Sequence, residues 1–181
     1  MPKAYIFTVK IIKRYFKTWR LNADMYPNVV IRAAVENDVD SIADLVARLK
    51  RLNGEFDPLL KPVDNISSVA KEYVKSKISS SSSVVLVAEV DGRIIGAVIG
   101  DIEDRLFYEP RISGVIREFY IMPEYRRKGL GKRMMSEVID AMKRRGAQVI
   151  LADFPSLNEI AVEFYKKMGF RPVDSVYAKE A

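Results

Sequence analysis

The sequence predicts one α/β domain of the α+β kind, with strands and helices around a single core. Three observations support this. The chain has 181 residues, enough for one ordinary core but not for two full domains. Apolar residues alternate in some segments and recur every three or four residues in others, which predicts both strands and helices. Residues 84–100 contain two apolar runs joined by Asp91-Gly92, the strongest short-range signal for a hairpin.

The domain is predicted to open with a strand and two helices. Residues 29–35 (VVIRAAV) form the strand, and Asn37 or Asp38 can cap the helix that follows. A glycine- and proline-containing loop at 53–62 separates it from a shorter helix, and a serine run at 79–83 is expected to be a flexible connector before the hairpin. The apolar stripes of the two helices are Val39, Ile42, Leu45, Val46 and Leu49, and Ile66, Val69, Ala70, Tyr73 and Val74.

After the hairpin, an acidic segment at 101–110 leads to a strand at 114–122 and then to a helix that ends near Gly146. Residues 148–154 (QVILADF) are predicted to form the next strand.

The sequence SLNE at 156–159 is a capping box that opens a last helix, which Gly169 ends. Residues 169–180 are expected to supply one or two closing strands.

The composition excludes several kinds of chemistry. The chain has no cysteine and no histidine, which removes disulfides, thiolate nucleophiles, histidine bases and the usual zinc ligands. Catalysis would then use carboxylates, Tyr, Lys, Ser/Thr or backbone dipoles, without a metal. No apolar run is long enough to span a bilayer and no secretory signal is recognised, so we expect no membrane insertion and a reducing cytoplasm. The absent cysteine, the single glutamine and the many Lys, Glu and Arg residues suggest a thermophile.

The positive charge is concentrated at the start of the chain. The net charge is +6, and residues 1–28 carry six basic residues against one acidic residue. Their aromatic residues could serve nucleic acid or an acidic membrane surface. We favour an appendage that packs on the domain or on a second subunit, which leaves a homodimer open, or a translated leader with Met25 as the natural start. The predicted organisation is therefore an extension at 1–28 and a domain at 29–181, with nucleic acid not expected as a partner.

Residues 125–135 (YRRKGLGKRMM) predict an anion site. They place five cationic residues and two glycines between a strand and a helix. Glycines let the backbone curl so that several N–H groups point into one hollow, and the helix N-terminus adds partial positive charge. The P-loop pattern is excluded because Arg133 follows Gly131-Lys132, and the dinucleotide fingerprint because Met134 stands in place of its third glycine. Taken alone, the stretch also fits an ordinary turn with solvated cations.

The wider arrangement resembles the GNAT superfamily of acetyl-CoA-dependent N-acyltransferases. Arg126-x-x-Gly129-x-Gly131 matches that family's pyrophosphate motif, and Asn158-x-x-Ala161-x-x-x-Tyr165-x-x-x-Gly169-Phe170 matches its second cofactor motif. The resemblance covers roughly residues 29–178, with the elements in the same order.

The resemblance implies a mixed, mostly antiparallel sheet of six to seven strands flanked by helices. Strands 114–122 and 148–154 would be a splayed parallel pair, with the pantetheine arm of acetyl-CoA in the gap. The resemblance further assigns residues to the cofactor. Backbone groups near Ile121 would bind the pantetheine, and residues of the basic turn would bind the pyrophosphate. Asn158 and Tyr165 share one helix face, which would look toward the cofactor with the Tyr165 hydroxyl near its sulfur. The residues of the turn are Arg126, Arg127, Lys128, Gly129, Leu130, Gly131 and Lys132.

The implied reaction is transfer of an acetyl group to a primary amine by direct attack in a ternary complex. A carboxylate is needed to deprotonate the amine, whose pKa is about 10.4. Glu118 is the predicted base; strand alternation would put Arg117 and Glu118 on opposite faces, so that only one enters the site. Tyr165 is the predicted general acid, with a helix-packing role as the alternative.

The loop that contains Glu55, Phe56 and Asp57 is predicted to cover the acceptor, and Glu55 is the reserve base. Acidic residues at 101–109 could attract a cationic acceptor, such as a polyamine, a lysine side chain or a protein N-terminus, or could be a solvated hairpin. Two other functions remain open. One is a non-catalytic acyl-CoA sensor, and the other is a nucleic-acid-binding module that uses the extension.

Overall fold

A computed structural model of the chain describes residues 28–179, which form four α-helices, five β-strands and three short 3₁₀ turns. The strands are β1 Val30–Ala33, β2 Ser83–Val90, β3 Arg93–Asp104, β4 Ile112–Ile121 and β5 Val149–Ala152. The helices are α1 Val39–Asn53, α2 Ile66–Ser79, α3 Leu130–Arg144 and α4 Glu159–Lys167.

The strands form one mixed sheet in the order β1-β2-β3-β4-β5. Every neighbouring pair is antiparallel except β4 and β5, which are parallel. The hairpin between β2 and β3 turns at Asp91 and Gly92, whose φ angles of 49° and 77° fit the two-residue turn that this dipeptide predicts.

The prediction of six to seven strands is wrong for the described residues, because no closing strand forms over 171–179. The apolar side chains there, Val173, Val176 and Tyr177, stay exposed, so pairing would gain no burial to offset the cost of ordering the chain. Pro172 also lacks the N–H group that a sheet ladder requires.

Helices cover both faces of the sheet. α1 and α2 contact β2, β3 and β4 on one side, and α3 packs on the other. Glycines in the sheet allow α3 to come close: a Cβ at Gly100 would lie 2.0 Å from Met142 Cε, and one at Gly114 would lie 2.6 Å from Met142 Sδ. The core between these layers consists of aliphatic and methionine side chains, with Ile42, Ile95, Ile99, Met134 and Met142 fully buried.

Two helix starts differ from prediction. Asp38 precedes α1 but does not cap it; its carboxylate accepts hydrogen bonds from Val35 N and from Arg32. The last helix is capped by Asn158, whose Oδ1 accepts from Ala161 N at 3.1 Å, and not by Ser156. In both cases a short polar side chain accepts a hydrogen bond from a backbone N–H group three residues away, Asp38 from Val35 and Asn158 from Ala161.

Candidate active site

The site begins with a bulge in β4. Ile99 of β3 lies opposite Glu118, and the next residue, Gly100, lies opposite Ile116, so Arg117 has no partner across the ladder. An extra residue of this kind interrupts the alternation of side chains. Phe119 then lies on the α3 side of the sheet, close to the Cβ position of Gly131 in α3.

Arg117 and Glu118 consequently share the face covered by α1 and α2. Lys50 of α1 is ion-paired with Glu118, and Asp101, which binds Lys77 of α2, is ion-paired with Arg117. The prediction that these two residues lie on opposite faces is therefore wrong. Strict alternation holds only for a regular strand, and the bulge places two successive side chains on one side.

The two parallel strands separate just beyond this point. β4 and β5 pair only from Ser113 to Ile116 and from Val149 to Ala152, and the ladder ends with Asp153 N donating to Ile116 O at 3.2 Å. β4 continues to Ile121, and no strand within residues 28–179 pairs with that edge beyond Ile116. Because a bulge bends and twists its strand, the bulge at Arg117 accounts for the splay. The edge of β4 beside this opening can pair with an extended ligand as a strand would.

The basic turn follows β4 and has the expected curled backbone. Arg127 and Gly129 both have positive φ angles, 62° and 83°. Gly129 is the N-cap of α3 and offers no capping side chain, so the first N–H groups of that helix are available to an anion. Gly131 lies against α4: a Cβ there would be 3.3 Å from Phe164 Cε2, closer than an ordinary contact.

The side chains of the turn fall into three groups. Arg126 is used within the protein, where Nε donates to Ile121 O at 2.7 Å and Cζ lies 5.0 Å from the centre of the Tyr120 ring. Leu130 is buried in the core. Arg127 and Lys132 are exposed, and Lys128 is half-buried. The curled backbone of the turn is therefore left for an anion, with the exposed side chains of Arg127 and Lys132 in the same turn.

Glu118 is a buried carboxylate with an incomplete set of partners. The residue is 7 % exposed; Oε1 is 2.6 Å from Lys50 Nζ, while Oε2 is buried with no hydrogen-bond partner among the described residues. Burial raises the pKa of Glu118, although Lys50 acts in the opposite direction. Sequence reasoning missed Lys50, whose only signal was its place beyond the apolar stripe of α1.

A second group of charges lies beside Glu118. Arg117 is ion-paired with Asp101, Glu103 and Asp153. Burial opposes ionisation of Asp101, but hydrogen bonds from Lys77 at 2.6 Å and Ser83 at 2.7 Å outweigh it and lower the pKa of Asp101.

The acidic residues of segment 101–110 therefore do not form one unpaired patch. Asp101 and Glu103 are ion-paired with Arg117, and Asp104 is ion-paired with Arg111 at 2.7 Å. A cavity of about 400 Å³ adjoins this network. Its lining is Ser76, Lys77, Ser80, Ser82, Ser83, Asp101, Ile102 and Glu103.

Tyr73 also faces this group, although the sequence placed it only in an apolar stripe. The residue is half-buried, and burial, followed by the charges of Glu118 and Asp101, raises its pKa. Tyr73, Lys50, Lys77 and Asp153 are the members of the site that the sequence did not indicate.

Tyr165 lies in an aromatic cluster near the end of β5. Its ring stacks on Phe154 with centroids 4.8 Å apart and meets Phe170 edge-on at 5.2 Å. Burial, and then the charge of Asp153, raises the pKa of Tyr165. Asp153 thus interacts with both Tyr165 and Arg117. Asn158 uses its side chain as the cap of α4.

The predicted acceptor loop follows α1 directly. Glu55 is exposed and Phe56 is half-buried. Phe56 N donates to Asn53 O at 3.0 Å, and Asp57 accepts from Leu59 N at 2.9 Å to cap a 3₁₀ turn. These bonds are local to the loop.

The geometry fits an extended, diphosphate-bearing thioester. The uncapped N-terminus of α3 can hold the diphosphate, the unpaired edge of β4 can hold the arm, and the buried Glu118 lies near the end of that edge. Among residues 28–179 no group of three or more acidic side chains could hold a metal ion, and no helix in that range is long and apolar enough to cross a bilayer.

Comparisons with known proteins agree with this geometry. A family model described as "Acetyltransferase (GNAT) family" matches residues 50–170. An uncharacterized N-acetyltransferase of Methanocaldococcus jannaschii is 25% identical over 169 residues, which are 92% of this chain and 72% of the relative. Another, from Archaeoglobus fulgidus, is 30% identical over 105 residues, 58% of this chain and 71% of the relative.

A solved structure shares the fold. The predicted acetyltransferase of Clostridium acetobutylicum with acetyl-CoA has a TM-score of 0.69 at 19% identity, over 84% of this chain and 96% of that one. The match of the family model to most of the domain, on a sheet with a splayed parallel pair, shows that this chain belongs to the acetyltransferase (GNAT) family and is an acyltransferase.

Proposed function

We propose that this enzyme transfers the acetyl group of acetyl-CoA to a primary amine, by direct attack in a ternary complex and without a covalent enzyme intermediate. The acceptor would be a small, polyamine-like amine or a protein lysine or N-terminus. One observation carries the proposal: Glu118 is a buried carboxylate that binds Lys50 through Oε1, has Tyr73 beside it, and makes no full hydrogen bond through Oε2 among the described residues. It lies on the strand whose free edge borders the opening. A buried carboxylate without a full set of partners destabilises the fold, and such groups concentrate at functional sites.

The co-substrate would be held by the turn from Arg126 to Lys132 and by β4. The N–H groups at the start of α3 and the exposed Arg127 and Lys132 would bind the diphosphate. The pantetheine arm would pair with the free edge of β4 near Ile121, and backbone N–H groups there would polarise the thioester carbonyl. Asn158 would act mainly through the position it gives to α4.

Glu118 would act as the general base. Deprotonating an alkylammonium of pKa about 10.4 at pH 7 costs roughly 4.6 kcal/mol, which is the main obstacle to attack. A carboxylate that takes the proton directly or through a water removes that obstacle. Burial raises the pKa of Glu118 and so makes it a stronger base than an exposed glutamate.

Tyr165 would act as the general acid toward the departing sulfur. Its raised pKa keeps the phenol protonated, which an acid requires. The need for an acid is modest, because a thiol has a pKa of about 8.5. We therefore expect Tyr165 to contribute less to the rate than Glu118.

The acceptor would approach from the α1 and α2 side, where Glu118 lies. The loop with Glu55, Phe56 and Asp57 would cover it, with Glu55 as the reserve base. The serine-lined cavity beside Asp101 could hold polar parts of the acceptor.

A thiol-release assay with acetyl-CoA over polyamines, amino acids, aminoglycosides and basic peptides tests this proposal. We expect turnover with at least one amine, a strong loss in Glu118→Gln and a smaller one in Tyr165→Phe. Coenzyme A binding without turnover on any amine would instead indicate an acyl-CoA sensor. Rates unaffected by both substitutions would contradict the roles given to these residues.

Four further predictions remain. They are the extension at 1–28, a homodimer, a cytoplasmic location and a thermophilic source. Residues 1–27 lie outside the described part of the chain, so the structure does not bear on the nucleic-acid alternative. That alternative predicts duplex binding with a steep salt dependence that disappears when residues 1–28 are deleted.

A further inference from the structure

A primary ammonium group of the protein already occupies the place proposed for the acceptor nitrogen. Lys50 Nζ lies 2.6 Å from Oε1 of Glu118, whose side chain is 8 % exposed. The Lys50 side chain is 36 % exposed, so it reaches the site from the end of α1 and can also swing out into solvent. In chemical terms it is the same group as a protein lysine or the end of a polyamine.

We propose that Lys50 is a site of self-acetylation, at which the enzyme transfers the acetyl group of acetyl-CoA to its own Lys50 Nζ when no acceptor is present. This inference rests on the proposed function, because it uses Glu118 as the base. It goes beyond that function by assigning a modification site within the chain.

The thioester is expected to reach this nitrogen. An arm that begins at the turn after Ile121 and follows the free edge of β4 back toward the bulge passes Glu118 three residues earlier. At about 3.3 Å per residue this distance is roughly 10 Å along the strand. The acyl group would then end near the bulge, where Glu118 holds Lys50.

The transfer balances without another reactant. The Lys50 ammonium gives one proton to Glu118, which passes it to solvent, and the freed electron pair on Nζ attacks the thioester carbon. A C–N bond forms and the C–S bond breaks. The second proton leaves the nitrogen and ends on the sulfur, so the products are an amide on Lys50, the free thiol and one proton in solution.

The modification would also turn the site off. Acetylation removes the positive charge of Lys50 and leaves the Glu118 carboxylate with a neutral, bulkier neighbour that an incoming amine must displace. The amide is stable, so the effect accumulates. An external amine that occupies the place of Lys50 would protect it, and the enzyme would lose activity only when acetyl-CoA is present and acceptor is scarce.

The test is incubation of the full chain with acetyl-CoA alone, followed by intact-mass measurement and peptide mapping with a protease that does not cut at lysine. Lys71 is a matched control, since its Nζ is also 2.6 Å from a carboxylate, that of Asp40, whose side chain is 77 % exposed. Because a positioned base contributes roughly 100- to 10,000-fold, we expect Lys50 to be acetylated at least about 100-fold faster than Lys71. The first-order rate constant for acetylation of Lys50 should not depend on protein concentration, because the transfer occurs within one molecule.

Two variants and one competition experiment sharpen the result. Glu118→Gln should slow acetylation of Lys50. Lys50→Arg keeps the positive charge. During preincubation with acetyl-CoA, the activity of Lys50→Arg should stay constant relative to its own initial value, while the activity of the wild type declines. An added acceptor amine should protect Lys50 in the wild-type protein, a test that needs no variant.

Several outcomes would overturn the inference. Equal acetylation of Lys50 and Lys71 would indicate uncatalysed chemistry, and an unchanged rate in a folded Glu118→Gln would remove the base from the step. An unmodified Lys50 in an enzyme that acetylates added amines would defeat this inference and leave the proposed function intact. Coenzyme A binding with neither Lys50 nor any amine acetylated would defeat both.

Discussion

The guanidinium of Arg117 is ion-paired with the carboxylate of Asp153, across the point where β4 and β5 cease to pair. The pair connects the bulge of one strand to the first residue after the other, and we expect it to help set the width of the opening. Asp153 is 60 % exposed on its side chain, so the pair contributes little to global stability.

Asp153→Asn should therefore weaken coenzyme A binding more than it weakens the fold. We expect a several-fold loss of affinity by calorimetry and a fall of less than about 1 kcal/mol in the free energy of unfolding. Glu163→Gln, which breaks the exposed pair with Lys167, is the matched control and should leave the affinity unchanged. Equal affinities in the two variants would show that the Arg117–Asp153 pair does not set the opening.

Gly129→Ala separates the cost of the left-handed backbone from binding. Gly129 has a φ of 83° in the basic turn, and Gly146 has a φ of 93° after α3 with open space around it. Alanine at either position should lower the free energy of unfolding by about 1–2 kcal/mol, because a Cβ disfavours this conformation.

Only Gly129→Ala should also weaken coenzyme A binding, since only that turn carries the N–H groups proposed for the diphosphate. Thermal or denaturant unfolding and calorimetry measure the two quantities separately. A loss of affinity in Gly146→Ala of the same size would indicate that general destabilisation, and not the turn, is responsible.

The rate of acetyl transfer should fall at acid pH with the ionisation of Glu118. The base must be deprotonated, and burial raises its pKa above the ordinary value of 4.5. The acid limb of kcat against pH should therefore lie above 4.5, and it should be absent from the residual activity of Glu118→Gln. An acid limb unchanged in that variant would assign it to another group.

Glu118 should also affect stability, with a definite sign. Above 4.5 and up to its raised pKa, the folded protein holds a proton that the unfolded chain has lost, so the free energy of unfolding falls as pH rises through this window. Asp38 and Asp101, whose pKa values are lowered, act in the opposite sense at lower pH. Denaturant unfolding of wild type and Glu118→Gln from pH 4 upward should show the fall only in the wild type.

Tyr165→Phe tests the proposed acid without disturbing the aromatic cluster. The ring would still stack on Phe154, so stability should change by less than about 1.5 kcal/mol, the usual contribution of one hydrogen bond. The kcat should fall by about tenfold to 100-fold. A general acid that is fully required contributes roughly 100-fold or more, and the effect here should be smaller because the thiol leaves readily. Tyr165→Leu provides the contrast, since it should also destabilise the fold; an unchanged kcat in Tyr165→Phe would leave only a packing role.

The elements of this fold are mostly readable from local patterns, and the strand pairings at the site are not. The alternation of residues 84–100 and the Asp91-Gly92 turn predict the hairpin because both depend on neighbours in sequence. The stripe that contains Met134, Val138 and Met142 likewise predicts α3, since its period is that of a helix. The prediction of closing strands was wrong. Residues 171–179 have a strand-like composition, but their apolar side chains are not buried against the domain.

The candidate site was predicted in part for the same reason. Glycines and cations in the basic turn are a local signal, and so is the pair Asn158 and Tyr165 two helical turns apart. The contacts of Lys50 with Glu118 and of Arg117 with Asp153 join residues that are distant in sequence. They depend on the bulge at Arg117, which changes the face of each later residue in β4 and leaves no mark in a single sequence.

The opening between β4 and β5 begins at one additional backbone unit, the bulge at Arg117. If Arg117 were deleted, the pleat would run unbroken from Ile116 to Glu118, and β4 would lose the bend at which its pairing with β5 ends. The proposed binding of the pantetheine arm thus depends on how many residues a strand contains. The loss of a single codon should therefore alter the opening more than the exchange of one amino acid for another.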